Sequence, residues 1–371
     1  MKRSLAHLPL HGGKAPPWLF QRMHRLAASV TRLIVSDYGP GEMLARLADP
    51  AWFQAFGCVL GFDWHSSGLT TVTCGALKEA YRRCADDLGI HVAGGKGGVS
   101  RKTPAEIANA SDRRSLPGDR LIYASKMSAK VDSAAVQDGY ELYAHTFFFD
   151  DAGRWCVVQQ GMSDESRYAR RYHWLSRVDL DFTCEPHQGI DSQRPAAAEQ
   201  LWLLNMVAAE ADASRRASVQ VANLDPDRVL REVHAGPSLF LPARHEIRPA
   251  DIDPRRLSRV LRLIHERHPG GFERLLGLPG VGGKTIRSLA LIAELIYDAP
   301  HCRRDPATFS YAHGGKDGHP FPVDRPTYDR NIAILESAVR RAKIAPNDKD
   351  QSLRRLAAML RAPARGGAPD A

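Results

Sequence analysis

Phe272-Glu273-Arg274-Leu275-Leu276-Gly277-Leu278-Pro279-Gly280-Val281-Gly282-Gly283-Lys284-Thr285, continued by Ile286 to Tyr297, reads as a short helix, a Gly-rich turn and a longer helix. Gly280 and Gly282 are free to take φ > 0, which lets backbone N–H groups approach a phosphate where a β-carbon would clash. The N-terminus of the second helix adds partial positive charge, and after Gly283 the side chains of Lys284 and Thr285 offer further donors. Contacts of this kind grip a phosphate backbone without reading its sequence. Working outward, helical periodicity dominates at 197–210, 254–268, 328–343 and 350–361, and strand signals almost vanish. Residues 196–361 are therefore expected to form an all-α domain with the helix pair at 272–297. The tail, 362–371, has too few large apolar groups to order itself.

Upstream the texture differs. Residues 18–56 alternate helical stretches with breaks such as Gly39-Pro40-Gly41, so 1–56 reads as a helical lead-in. From 57 to 195 short apolar runs at 58–62, 90–93 and 121–123 are strand candidates, with helices expected at 69–88 and 163–177. One hairpin is clear: 142–149, the turn Asp150-Asp151-Ala152-Gly153, then 155–159, a β-hairpin near 142–160. The fold class expected is an α+β (or α/β) N-terminal domain followed by an all-α domain, with the boundary near 195 at Pro195-Ala196-Ala197-Ala198.

Composition narrows the function. A chain of 371 residues with 43% hydrophobic and 25% charged residues can build more than one core, yet holds no apolar run near the roughly 18 residues that span a bilayer. Met1-Lys2-Arg3 is followed by Pro9, His11, Gly12 and Pro16 instead of an apolar segment, so a signal peptide is not expected and a cytoplasmic protein is, nucleoid-associated in a prokaryote. Six cysteines with no CxxC pair argue against a zinc ribbon, a redox site or an iron–sulfur cluster. The net charge of +9 makes polyanions the expected partners.

The 272–297 segment resembles the helix-hairpin-helix DNA-binding motif. A P-loop is the rival reading, because Gly283-Lys284-Thr285 matches the end of GxxxxGK[ST]. Leu278 stands where the first glycine belongs and a helix precedes the loop, so no nucleotide cofactor is expected. A tight helix–helix turn with no ligand is the plain alternative. With His319-Pro320-Phe321-Pro322-Val323-Asp324-Arg325, the segment also looks like the DNA glycosylases built on the same hairpin. That resemblance implies that Lys284 attacks the sugar C1′ of an extruded nucleotide to form a Schiff base and that Asp324 stabilises the developing charge. The other reading is that Asp324 caps the next helix and Lys284 only touches phosphate. Through Asp63-Trp64-His65-Ser66-Ser67-Gly68, Gly94-Gly95-Lys96-Gly97-Gly98 and Gly314-Gly315-Lys316-Asp317-Gly318-His319, nearly the whole chain resembles domain of unknown function 763, a family that implies no activity.

The 57–195 region carries further candidates. Asp63 and His65 follow a strand candidate, Asp132 and Asp138 flank a helix-like segment before the hairpin, and Glu185-Pro186-His187 closes the domain. Asp63, His65, Asp132 and Glu185 form a candidate set for Mg²⁺ or Mn²⁺, which would activate water against a phosphodiester. The spacing matches no standard metal motif, and a solvated turn or cap is the alternative for each carboxylate. The hairpin ends Val157-Val158-Gln159-Gln160-Gly161, without the acid-x-Lys of one nuclease class. On a helix, Arg167, Arg170, Trp174 and Arg177 would share a face, and with Arg171 would offer guanidinium groups and a stacking ring to nucleic acid. The alternative is a plain basic face with Trp174 half-buried. Lys96 sits in a glycine run able to cradle phosphate or simply to flex. The reading is a DNA-binding protein of DNA repair or processing, a divalent-metal nuclease first, a glycosylase or abasic-site lyase second, and a non-enzymatic recruiting protein third. RNA is an alternative partner.

Overall fold

The computed structural model describes residues 15–62, 67–82, 84–164, 167–191, 203–227, 254–307, 325–342 and 346–361. Proline and capping residues set off the first three helices, α1 (Pro17–Tyr38), α2 (Pro40–Ala48) and α3 (Pro50–Leu60). Asp49 Oδ1 accepts from the backbone N–H groups of Ala51 and Trp52 at 2.8 and 3.0 Å, and Gly61, at φ +111°, ends α3. Helices α4 (Gly68–Arg82) and α5 (Ala85–Leu88) lead into strand β1 (Ile90–Lys96), and α6 (Thr103–Arg114) and α7 (Gly118–Lys130) follow it. After α7 comes one π-helical turn, Val131–Ala135, then β2 (Val136–Gln137), β3 (Glu141–Asp150), β4 (Trp155–Ser163), β5 (Tyr168–Leu175), β6 (Gly189–Asp191) and β7 (Leu204–Asn205). Beyond them the described chain is essentially helical: α8 (Asp212–Ala222), α9 (Pro254–Arg267), α10 (Phe272–Gly277), α11 (Gly283–Tyr297), α12 (Arg325–Arg341) and α13 (Pro346–Arg361).

Strands run in the order β1-β3-β4-β5-β6 and every neighbouring pair is antiparallel, so the mixed region is α+β. In the β3–β4 hairpin, Asp150 Oδ1 accepts from Ala152 and Arg154 N–H at 3.0 and 2.9 Å, and Gly153 supplies the left-handed residue, φ +76°.

Helices bury both faces of this sheet. Phe147, Phe149, Val157, Tyr172 and Trp174 face a core shared with α7, α10 and α11, to which Leu121, Met127, Leu275, Leu276, Ile286 and Leu289 contribute. Phe148, Cys156 and Val158 face the other core, filled by Val30, Leu47, Trp52, Phe56 and Tyr81, with Leu335 and Val339 of α12. Each fully buried aromatic or aliphatic side chain stabilises the fold by about 1.5–3 kcal/mol. The expected boundary near 195 lies outside the described residues, and apolar side chains from both sides of it meet in the first core.

Four local expectations are corrected. Residues 163–177 do not form a helix; most of them are β5. Its charged residues point inward, a placement that a helical reading of Arg-rich sequence takes for solvent exposure. Residues 58–62 belong to the end of α3 and the glycine that stops it, and 121–123 lie inside α7, where the flanking Asp119 and Arg120 fit a helix first turn better than a strand. Of 197–210, the described part holds β7 and a short 3₁₀ turn, Ala209–Ala211. No helix among the described residues is long and apolar enough to cross a membrane.

Candidate functional site

Phe272, Leu275 and Leu276 recur at i, i+3 and i+4 and are buried, so α10 packs its apolar stripe on the sheet's core and leaves Arg274 exposed. The Tyr123 hydroxyl of α7 donates to Glu273, tying the two helices together. After α10 the chain turns through Leu278-Pro279-Gly280-Val281-Gly282, with Val281 N–H donating to Leu278 O at 3.3 Å. Val281 is buried and anchors the turn, while Pro279 and Gly280 are exposed.

Gly280 has φ +82°, and a β-carbon there would lie 3.2 Å from Val260 Cγ2. Only this glycine takes the left-handed conformation expected of the pair: Gly282 is extended, φ −140°, and a β-carbon on it would meet nothing within 4 Å. Gly282 is the N-cap residue of α11 and provides no side-chain cap, so the helix presents its first N–H groups without one. Lys284 is exposed in the first turn. Thr285 corrects the expectation of a second side-chain donor, because it is buried, 7% exposed.

The loop is held from behind by the α+β region. Lys130, the last residue of α7, donates from Nζ to Leu278 O at 3.4 Å and to Val281 O. Gln137 Nε2 donates to Gly283 O at 2.8 Å, and Gln137 Oε1 accepts from Arg287 Nε at 2.8 Å. Partial burial lowers the Lys130 pKa, and burial lowers that of Arg287 to about 10, with the Arg303 charge adding to the effect.

Asp132 and Asp138 are each engaged by different protein partners. Asp132 is wholly buried: Oδ2 accepts from Gln159 Nε2 at 2.6 Å and Trp174 Nε1 at 2.8 Å, and Oδ1 lies 2.5 Å from His187 Nε2. Burial raises its pKa. Asp138 Oδ2 accepts from Arg170 and the Tyr172 hydroxyl at 2.7 and 2.8 Å. Glu185 stands apart and exposed, accepting from Arg304 and from Ala209 N–H, each at 3.1 Å. Among the described residues no group of three or more His, Cys, Asp and Glu side chains could hold a metal ion. Asp63, His65 and Asp324 lie outside the described residues.

The basic face expected over 167–177 is likewise not formed. Arg170 is buried with Asp138 and Asp305, at 2.7 and 3.0 Å, and Arg171 is buried with Asp191 at 2.8 Å. Trp174 is fully buried beside His187, and only Arg167 and Arg177 are exposed. Both guanidinium groups are wholly buried against carboxylates, out of reach of a phosphate at the surface. Lys96 is exposed at the end of β1, over the Tyr143 ring.

Sequence reading missed the chain Ser125–His145–Gln159–Asp132–His187 under the sheet. His145 Nδ1 faces the Gln159 amide oxygen at 2.8 Å and must donate there, so Nε2 accepts from Ser125 and the ring is neutral; burial lowers its pKa to about 4. The signal available was a polar residue at alternate positions within strong strand runs. A cleft of about 660 Å³ lies between α4, β1 and α6, but its Lys78 and Glu106 pair with each other at 2.6 Å and with the backbone of Gly94.

No curated protein and no solved structure matches the chain. A family model described as protein of unknown function (DUF763) matches residues 4–323, and the chain belongs to that family.

Proposed function

We propose that this protein binds nucleic acid, DNA first, by gripping the phosphate backbone at the turn between α10 and α11 in the manner of a helix-hairpin-helix. The observation that carries this reading is the exposed Pro279–Gly280 turn, with Gly280 at φ +82°, running into the side-chain-uncapped N-terminus of α11 beside the exposed Lys284. A phosphate at this end of the helix would meet backbone N–H groups, the positive end of the helix dipole and a lysine. The net charge of +9 supports the same reading. Binding of this kind is independent of base sequence and weakens with salt.

Metal-dependent cleavage and Lys284–Asp324 lyase chemistry stay secondary, since no described geometry favours either. Fluorescence anisotropy with labelled duplex DNA tests the reading. Wild type should bind, Lys284→Ala should bind more weakly with a salt slope smaller by about one ion, and Gly280→Val should bind more weakly still. Equal binding by all three proteins would move the nucleic-acid site elsewhere, and no binding by wild type would refute the function.

A further inference from the structure

We infer that Lys130, on the α+β side of the molecule, is the positioning residue of the 278–285 loop, aiming its backbone donors at the phosphate without touching the phosphate itself. This rests on the nucleic-acid reading above, but its structural half stands alone. The Lys130 ammonium lies against two carbonyls of the turn, Leu278 O and Val281 O, one on each side of Gly280. The peptide unit is planar and trans, so a carbonyl held in one direction fixes the next N–H in the opposite one. Holding Val281 O toward Lys130 therefore turns Gly282 N–H away from Lys130. The Gln137 bond to Gly283 O does the same for Lys284 N–H.

Together they fix the peptide planes that precede the first residues of α11, the end of the helix where an anion is best received. A loop fixed before the ligand arrives loses less freedom on binding, so the contact should appear as affinity. Lys130 serves this role because one half-buried ammonium reaches Val281 O and adds a second donor to Leu278 O, which already accepts from Val281 N–H, and it places a positive charge beside the loop. Gly280 completes the arrangement, since its left-handed φ brings the two carbonyls round to one side.

Lys130→Met and Lys130→Arg in the full chain test the proposal. Without DNA, hydrogen exchange at the Val281 and Ile286 amides, which donate to Leu278 O and Gly282 O, should accelerate in Lys130→Met and stay near wild type in Lys130→Arg, with the far-UV spectrum of both unchanged. With duplex DNA, Lys130→Met should lose about tenfold in affinity. Its slope of log affinity against log salt should be unchanged, because no phosphate contact is removed, and Lys130→Arg should restore most of the loss. Unchanged exchange at those amides overturns the proposal. So does a slope reduced by about one ion, which would make Lys130 a direct phosphate ligand. Failure of wild type to bind DNA would refute the functional reading and leave the exchange result to decide the positioning role.

Discussion

At position 280 a single β-carbon decides the loop. It would meet Val260 Cγ2 at 3.2 Å on a backbone at φ +82°, a strain of about 1–3 kcal/mol for a β-branched residue. Gly282 provides the internal comparison, because its extended backbone and open surroundings accept alanine without strain. Gly282→Ala should change stability by less than about 0.5 kcal/mol and still weaken DNA binding, because only a close approach of backbone to phosphate would feel the added methyl. Urea unfolding and DNA titration of the same variant separate the two effects, and normal affinity would place the phosphate away from this turn. His145 makes a second prediction. Its folded pKa, about 4, lies below the ordinary histidine value of 6.5, so the folded state resists protonation. The stability this contributes is present above pH 6.5 and is lost as pH falls toward 4, up to roughly 3 kcal/mol. A His145→Gln variant should show a flatter acid limb in urea midpoints measured from pH 7 to 4; an equal slope would mean that other groups carry the acid loss.

Strand β5 is the element whose reading turned on burial. Tyr168-Ala169-Arg170-Arg171-Tyr172-His173-Trp174-Leu175 places Arg170, Tyr172 and Trp174 under one face of the sheet and Arg171 and His173 under the other. Two charged residues in sequence imply a solvated surface unless the chain supplies a carboxylate for each, and those partners, Asp138, Asp305 and Asp191, are far away in sequence. The hairpin was legible because a turn of Asp and Gly between apolar runs is a local signal. The helix pair 272–297 was legible through its periodicity, and Lys284 and Gly280 through the turn. Lys130 and Gln137 were not, since nothing local marks a side chain that bonds a loop about 150 residues on. Arg171 is wholly buried and donates to His173, Gln54, Thr70, Pro50 O and Asp191. Arg171→Met alone should cost about 3–5 kcal/mol by leaving Asp191 buried without its partner, and adding Asp191→Leu should recover much of it. Urea denaturation of the single and double variants checks this, and additive losses would count against a buried pair.

Across the whole molecule the helical half and the sheet share one core. Leu276 of α10 is fully buried in the cluster that also holds Trp174 and Phe147. Leu276→Ala should lower stability by about 2–5 kcal/mol, and the tryptophan fluorescence of the sheet should report the loss at the same urea concentration as far-UV helicity. A helical transition that leaves the tryptophans unchanged would mean that α9–α11 fold on their own. The shared core also explains how a residue of the α+β region can set the geometry of a turn in the helical half, since Lys130 and the 278–285 loop ride on one packed body.

Whether this molecule grips a phosphate backbone is decided by the affinity of the full chain for a duplex DNA of arbitrary sequence, measured from low to moderate salt. A backbone grip gives a linear fall of log affinity with log salt, the same slope for unrelated sequences, and a slope reduced by about one ion in Lys284→Ala. Absence of binding at low salt, or binding that salt does not weaken, would contradict it.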